Sequence, residues 1–190
     1  MHKKINGIRV KELHEMVNLF KENPALARFQ FRIKNTWMNK GHSRSIVKGF
    51  YGFEKEDDTR TFPFIFEVDQ PINMLGNNLG PIPIEYALNG LISCLANSIV
   101  YNAAAKGINI EDVESELEGI FDLRCLFGVE DGSEKIAEGI RVKFRIKGNN
   151  LSDEQRKFLC DLGKKSSPVF KIIANPFPVT VSLENELYEE

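Results

Sequence analysis

The chain has 190 residues, 42% of them hydrophobic and 27% charged, which is enough for one domain with a core that needs no covalent staples. Its 25 basic and 27 acidic residues leave a formal charge of -2, so there is no overall field to recruit nucleic acid or an anionic membrane. The three cysteines, Cys94, Cys125 and Cys160, form no CxxC pair, and their odd number argues against a disulfide framework.

The first residues, MHKKINGIRVKELHEM, carry basic side chains with no apolar stretch behind them and no small-residue cleavage site. The expectation is a cytoplasmic chain without a signal peptide. Residues 8–22 then place Val10, Leu13, Met16, Val17 and Phe20 at helical spacing, and Asn23-Pro24 stops the helix. In RFQFRIKNTW, Phe29, Phe31 and Ile33 alternate with polar residues, which predicts a half-buried strand. After the turn MNKGHS, the stretch RSIVKGFYGF predicts the return strand of a hairpin. EKEDDTR predicts a solvent-facing acidic loop, and PFIFEVD a third strand.

Residues 70–83 are rich in Gly, Pro and Asn and predict an ordered, irregular approach to the long helix PIEYALNGLISCLANSIVYNAAAKG. This is the longest apolar run, and Glu85, Asn89, Asn97 and Asn102 interrupt it, so no membrane span is expected. Gly107 suits the left-handed position that closes a helix. Two long antiparallel strands follow, VESELEGIFDLRCLFG and KIAEGIRVKFRIKG, joined by a turn at Asp131-Gly132. Ser152 and Gln155 form a capping box ahead of DEQRKFLCDLGKKS, a helix ending near Ser166, and the tail NPFPVTVSLE predicts a last strand. The expected order is helix, three strands, long helix, two strands, helix, strand.

On a wheel of 100° per residue, Ile84, Leu88, Leu91, Ile92, Leu95 and Ile99 share the core stripe of the long helix. Cys94 lies beside that stripe, on a flank with Ala87, Ser98, Tyr101 and Ala105. Two readings stand side by side. Cys94 is a buried packing thiol, as most free cysteines are, or it is a nucleophile whose thiolate a nearby cation stabilises, since the helix N-terminus is too far away to do so. Arg44, in the turn NKGHSRS with His42 two residues earlier, is the candidate cation. His2, His14 and His42 share no spacing with a cysteine, so neither a metal site nor a metal cofactor is expected.

The order of motifs carries a resemblance. Gly80-Pro81-x-Pro83-x-Glu85, Ala87-Leu88, Ser93-Cys94-Leu95, Ala103-Ala104 and Gly107-Ile108 resemble the long helix of the OsmC/Ohr-like family, the osmotically inducible protein C and organic hydroperoxide resistance proteins. Ser167-Pro168-Val169-Phe170 and Pro178-Val179-Thr180-Val181 are similar to that family's C-terminal pattern. The resemblance spans roughly residues 29 to 184. It divides the chain into an N-terminal helical extension, residues 1–28, and an OsmC-like domain, residues 29–190.

The resemblance implies an α+β fold with antiparallel sheets packed around a long central helix carrying Cys94, in an intertwined homodimer with sites at the subunit interface. It also implies a thiol-dependent peroxidase of the oxidative stress response that needs no cofactor. Cys94 matches the peroxidatic cysteine. Glu85 matches the glutamate that orients an arginine toward the sulfur, and Arg44 is matched to that arginine. Tyr86, Tyr101 and Phe170 are expected to line the substrate pocket, each with plain core packing as the alternative. Glu85 and Cys94, nine residues apart, are about 180° apart on an unbroken helix, so either the helix is irregular at its start or two subunits share the site.

Where the peroxidases have a resolving cysteine before proline, this chain has Ser167-Pro168. Neither Cys125 nor Cys160 matches that position. The sequence reading is therefore a peroxidase that reduces organic or hydrogen peroxides and relies on an external thiol. Its alternative is a non-peroxidatic dimer of the same fold that binds a small ligand or senses oxidation.

Overall fold

The computed structural model describes residues 3–129 and 137–183. The expected turn at Asp131-Gly132 lies outside the described residues.

The N-terminal segment is more than a helix. Strands β1 (Lys4–Ile5) and β2 (Ile8–Arg9) pair antiparallel across Asn6-Gly7, both at positive φ, the two-residue turn that matches strand twist. Helix α1 (Val10–Glu22) follows, and a 3-10 turn over Pro24–Ala27 is capped by the Asn23 side chain. Asn6 also ties the hairpin to the rest of the chain. Its amide donates to the Ile108 carbonyl at 3.1 Å, and its side-chain oxygen accepts the Ile110 N–H at 2.7 Å. Ile5 and Leu13 bury against Ala104 in a small cluster that closes the C-terminal end of the long helix.

Two three-stranded antiparallel sheets come next. One contains β3 (Gln30–Phe31), β6 (Phe50–Gly52) and β7 (Lys55–Asp57); the other contains β4 (Lys34–Asn39), β5 (His42–Val47) and β8 (Phe64–Val68). The stretches read as single strands are each split, because the chain passes between sheets at Arg32-Ile33 and at Lys48-Gly49. The acidic stretch is not simply a loop, since Lys55–Asp57 pairs with β6 across Phe53-Glu54, both at positive φ.

Helix α2 (Pro83–Ala105) is continuous over 23 residues, with Pro83 at its first position and Gly107 just beyond its end at φ 74°. Of the expected stripe, Leu91, Leu95 and Ile99 are buried, while Ile84, Leu88 and Ile92 are only half-buried.

Strands β9 (Asp112–Phe121) and β10 (Ala137–Lys147) pair antiparallel. One face carries the cross-strand pairs Glu118–Arg141, Glu114–Arg145 and Asp112–Lys147; the other turns Val113, Phe144 and Ile146 to the core. The first strand is shorter than the sequence implies. Asp122 accepts both the backbone N–H and the guanidinium of Arg124, which turns the chain into a 3-10 helix over Arg124–Phe127.

Helix α3 (Asp153–Ser166) starts at the predicted capping box, with Ser152 Oγ accepting the Gln155 N–H and Gln155 returning a bond to the Ser152 N–H. A helix the sequence reading missed, α4 (Pro168–Ala174), follows directly. The expected tail strand is absent from residues 175–183, where Val179, Val181 and Leu183 stand in the open. Strand geometry needs a neighbouring edge to hydrogen-bond, and the described residues of this protomer place none beside the tail. Among the described residues the result is an α+β fold of antiparallel sheets and four α-helices.

Candidate functional site

Cys94 sits on the helix whose first half faces the β4–β5–β8 sheet. The start of α2 is fixed locally: Ile82 is extended, and the Glu85 carboxylate accepts the Ile82 N–H at 2.9 Å. Two side chains then dock the helix. The Tyr86 ring meets Phe66 edge-on at 5.8 Å, and its hydroxyl donates to the Glu67 carbonyl at 2.7 Å.

Pro83, Gly90 and Cys94 fall within about 40° of each other around the axis. The first two border a groove of about 520 Å³ between helix and sheet. Cys94 continues that helix face one turn beyond Gly90, about 6 Å along the axis, and its side chain is partly exposed. The apolar wall of the groove is Ile33, Phe66, Val68 and Tyr86. Its polar floor is Asn35, whose amide donates to Ser43 Oγ at 3.1 Å and Ser45 Oγ at 2.9 Å.

Strand register puts Arg44 elsewhere. Arg44 is not in a turn but inside β5, opposite Thr36 on one side and Glu67 on the other. Neighbouring residues of a strand point to opposite faces, so Arg44 projects away from the groove that Ser43 and Ser45 floor. Its guanidinium is committed to Glu67, with Nε 2.8 Å from Oε1, and His42 Nε2 lies 2.7 Å from the other carboxylate oxygen. The Arg44 guanidinium, followed by His42, holds the Glu67 carboxyl below the ordinary carboxylate range.

Within the protomer the expected pairing of Glu85 with Arg44 is therefore not made, because Glu85 caps α2 and Glu67 holds Arg44. The helix is regular from Pro83 onward, which removes an irregular start as a way of bringing Glu85 and Cys94 together.

A second carboxylate fixes the approach to α2. Asp69 is fully buried, and its oxygens accept the N–H groups of Gln70, Asn77 and Leu79 at 2.8, 3.0 and 3.2 Å. Burial pushes this carboxyl up, and the three backbone donors together outweigh it and hold the group below its ordinary value. Gly76 is required here, since a Cβ would lie 1.8 Å from the Gln70 carbonyl oxygen.

Ser167 is also fully buried. Its N–H donates to the Gly163 carbonyl at 2.9 Å, and its Oγ accepts the Phe170 N–H at 3.1 Å, so it closes α3 and caps α4 at once. Helix α3 runs antiparallel to α2, with Leu159 beside Ile99 and Ala103, and Gly163 against Ile99 and the Leu95 carbonyl. Ser167, one turn further, continues toward the Leu91–Leu95 turn of α2. Of the expected pocket residues, Tyr86 lines the groove, Phe170 is half-buried in α4, and Tyr101 is 49% exposed two turns beyond Cys94.

The sequence reading passed over Asn35, Ser43, Ser45, Glu67 and Asp69. The signal for Ser43 and Ser45 was their period-two segregation from His42 and Arg44. Among the described residues, no cluster of three or more His, Cys, Asp or Glu could hold a metal ion, and no helix is long and apolar enough to cross a membrane.

A family model described as OsmC-like protein matches residues 76–182, more than half of the chain. Three solved structures share the fold. An OsmC like protein from Mycoplasma pneumoniae is 19% identical, with a TM-score of 0.58 over 77% of this chain and 89% of that one. An organic hydroperoxide resistance protein OsmC from Legionella pneumophila is 16% identical, with a TM-score of 0.53 over 76% and 88%. An osmotic stress induced and detoxification response protein from Psychrobacter arcticus is 15% identical, with a TM-score of 0.54 over 73% and 85%. No curated protein matches the sequence.

Proposed function

The chain belongs to the OsmC-like protein family, and from that membership we propose that it reduces organic or hydrogen peroxides through the Cys94 thiol, working as a homodimer in the cytoplasm. The observation that carries this reading is the place of Cys94, partly exposed on the helix face that borders an uncharged groove large enough for a small organic molecule.

The Cys94 thiolate attacks the terminal oxygen of the hydroperoxide. The S–O bond forms as the O–O bond breaks, the alkoxide takes a proton and leaves as an alcohol, and the cysteine becomes a sulfenic acid. An external thiol then condenses with it, releasing water and forming a mixed disulfide, and a second thiol exchanges to restore Cys94. The external reductant is needed because Ser167 has no sulfur to form the bond.

Two features support the dimer. A compact monomer of this mass exposes about 9200 Å², whereas this protomer exposes 14577 Å². Phe31, Ile33, Trp37, Phe62 and Val181 are each more than two-thirds exposed, and apolar area on that scale is normally covered. The dimer also bears on activation. Arg44 faces away from the groove of its own protomer, so in this reading the cation beside the Cys94 sulfur comes from the second copy.

The alternative, a ligand-binding or oxidation-sensing protein without efficient turnover, is favoured by Ser167 alone. The deciding experiment follows hydroperoxide consumption with dithiothreitol in native protein and Cys94→Ser, alongside alkylation of Cys94 across pH. Consumption that requires Cys94 is expected. No consumption together with a thiol pKa near 8.5, the ordinary value, would leave the alternative.

A further inference from the structure

We propose that Asn6-Gly7 is a deamidation site, and that its conversion to aspartate or isoaspartate irreversibly releases the N-terminal hairpin from the end of α2. This is independent of the peroxidase reading, since it involves neither the groove nor the Cys94 thiol.

Asn-Gly is the pair that a two-residue hairpin turn with two positive φ angles favours, and Asn6 and Gly7 stand at φ 52° and 77°. It is also the pair most open to deamidation, because glycine has no side chain to shield its nitrogen from the asparagine Cγ. Gly7 is exposed, and a Cβ there would meet nothing within 4 Å, so water reaches this side of the turn. The other side is held. The Asn6 amide donates to the carbonyls of Ile108 at 3.1 Å and Val100 at 3.5 Å, and its oxygen accepts the Ile110 N–H at 2.7 Å. A side chain tied by three bonds to α2 and the strand approach reacts only when the hairpin lifts, so the rate follows the open population. Burial of Ile5 and Leu13 against Ala104 keeps that population small.

The step balances with water alone. The Gly7 nitrogen attacks Asn6 Cγ and loses its proton, the side-chain amide leaves as ammonia, and a succinimide ring remains. Water opens the ring at either carbonyl, giving aspartate or isoaspartate. Neither product fits the docked hairpin. Aspartate turns an oxygen that can only accept toward the carbonyls of Ile108 and Val100. Isoaspartate adds a backbone carbon to a turn whose flanking pairs, Ile5–Ile8 and Lys4–Arg9, close over two ordinary residues.

The chain carries its own control. Asn89-Gly90 is the only other Asn-Gly pair in the sequence, and it lies inside α2, where the helical ladder holds the Gly90 N–H. That pair should convert only on global unfolding.

The test incubates the full-length protein at mildly alkaline pH, folded and in concentrated urea, and maps aspartate and isoaspartate by peptide mass spectrometry. In urea both sites should convert; in the folded protein only Asn6 should, about tenfold or more slowly. Leu13→Ala, shown to be folded by circular dichroism, should speed conversion at Asn6 about tenfold by weakening the docking contact. Asn6→Asp tolerates the same left-handed φ and changes only what faces Ile108 and Val100. It should lose hydrogen-exchange protection over residues 4–22 while α3 keeps its own. Conversion of folded Asn6 as fast as in urea, conversion of Asn89 alongside it, no conversion of Asn6 in either folded protein, no acceleration in Leu13→Ala, or an Asn6→Asp hairpin as protected as the parent would each overturn the proposal. Should Leu13→Ala fail to fold, the exchange of Asn6→Asp decides.

Discussion

Replacing Gly163 by alanine sets two known effects against each other at the crossing of α2 and α3. An alanine in a helix interior is about 0.8–1.0 kcal/mol more favourable than glycine. Here, however, the new Cβ would lie 2.6 Å from Ile99 Cγ1, 3.3 Å from Ile99 Cδ1 and 3.4 Å from the Leu95 carbonyl oxygen. Ile99 is fully buried, and a β-branched residue in a helix has essentially one χ1 rotamer, so it cannot swing aside. Overpacking of that kind costs about 1–3 kcal/mol. The net expectation is a loss of about 1 kcal/mol, or about 2–4 °C in melting temperature for a chain of this size.

The mechanism is tested by a double-mutant cycle. Ile99→Ala alone should cost about 2–5 kcal/mol, but in the Gly163→Ala background the new methyl fills part of the space vacated. The two changes should therefore couple favourably by about 1 kcal/mol. The assay is equilibrium urea unfolding at one fixed protomer concentration, because association contributes to apparent stability. A Gly163→Ala protein as stable as the parent, or strict additivity with Ile99→Ala, would refute the argument.

Asp69→Asn removes a carboxylate whose folded pKa lies below its unfolded value, so its contribution is present above about pH 4 and lost as pH falls through the lower folded pKa. The variant should be less stable at neutral pH and show a flatter acid limb in a pH series of melting temperatures. Ser167→Cys replaces a buried hydroxyl that caps α4 and should cost about 1 kcal/mol. After one equivalent of hydroperoxide, non-reducing peptide mapping should show a bond between positions 94 and 167 that native protein cannot form. Asn6→Ala leaves the Ile110 N–H and Ile108 carbonyl without their side-chain partner and places alanine at φ 52°. A loss of about 2–3 kcal/mol is expected from the two effects, and Asn6→Gly, which keeps only the first, should melt higher than Asn6→Ala.

Local chemistry made much of the fold legible in the sequence. Helix α2 was readable from its long apolar run, Pro83 at the start and Gly107 just past the end; α3 was readable from the reciprocal bonds of Ser152 and Gln155. Each of those signals acts within one turn of chain. The strands were placed but not divided, because the switch between sheets at Lys48-Gly49 depends on which edges are free to pair. The tail was read as a strand from its alternation, yet alternation supplies no partner edge. Helix α4 was missed because Ser167-Pro168 was read as a family motif, although serine followed by proline is itself a helix start.

The candidate site divides the same way. The sequence by itself determined that Cys94 lies beside the core stripe of a long helix and that Glu85 is about half a turn around the helix axis from Cys94, since helical angle follows from residue count; the expectation of a resolving cysteine at Ser167 came from the family resemblance. Only the tertiary structure decided that Glu67 holds Arg44, that Arg44 faces away from the groove, and that Asn35, Ser43 and Ser45 form the groove floor. The hold of Glu67 on Arg44 follows from the register of strands 23 residues apart, and the groove floor from a hairpin register that pairs residues 8 and 10 apart. A shift of one residue would exchange the two faces of the sheet, and no local pattern in the chain records which register is taken.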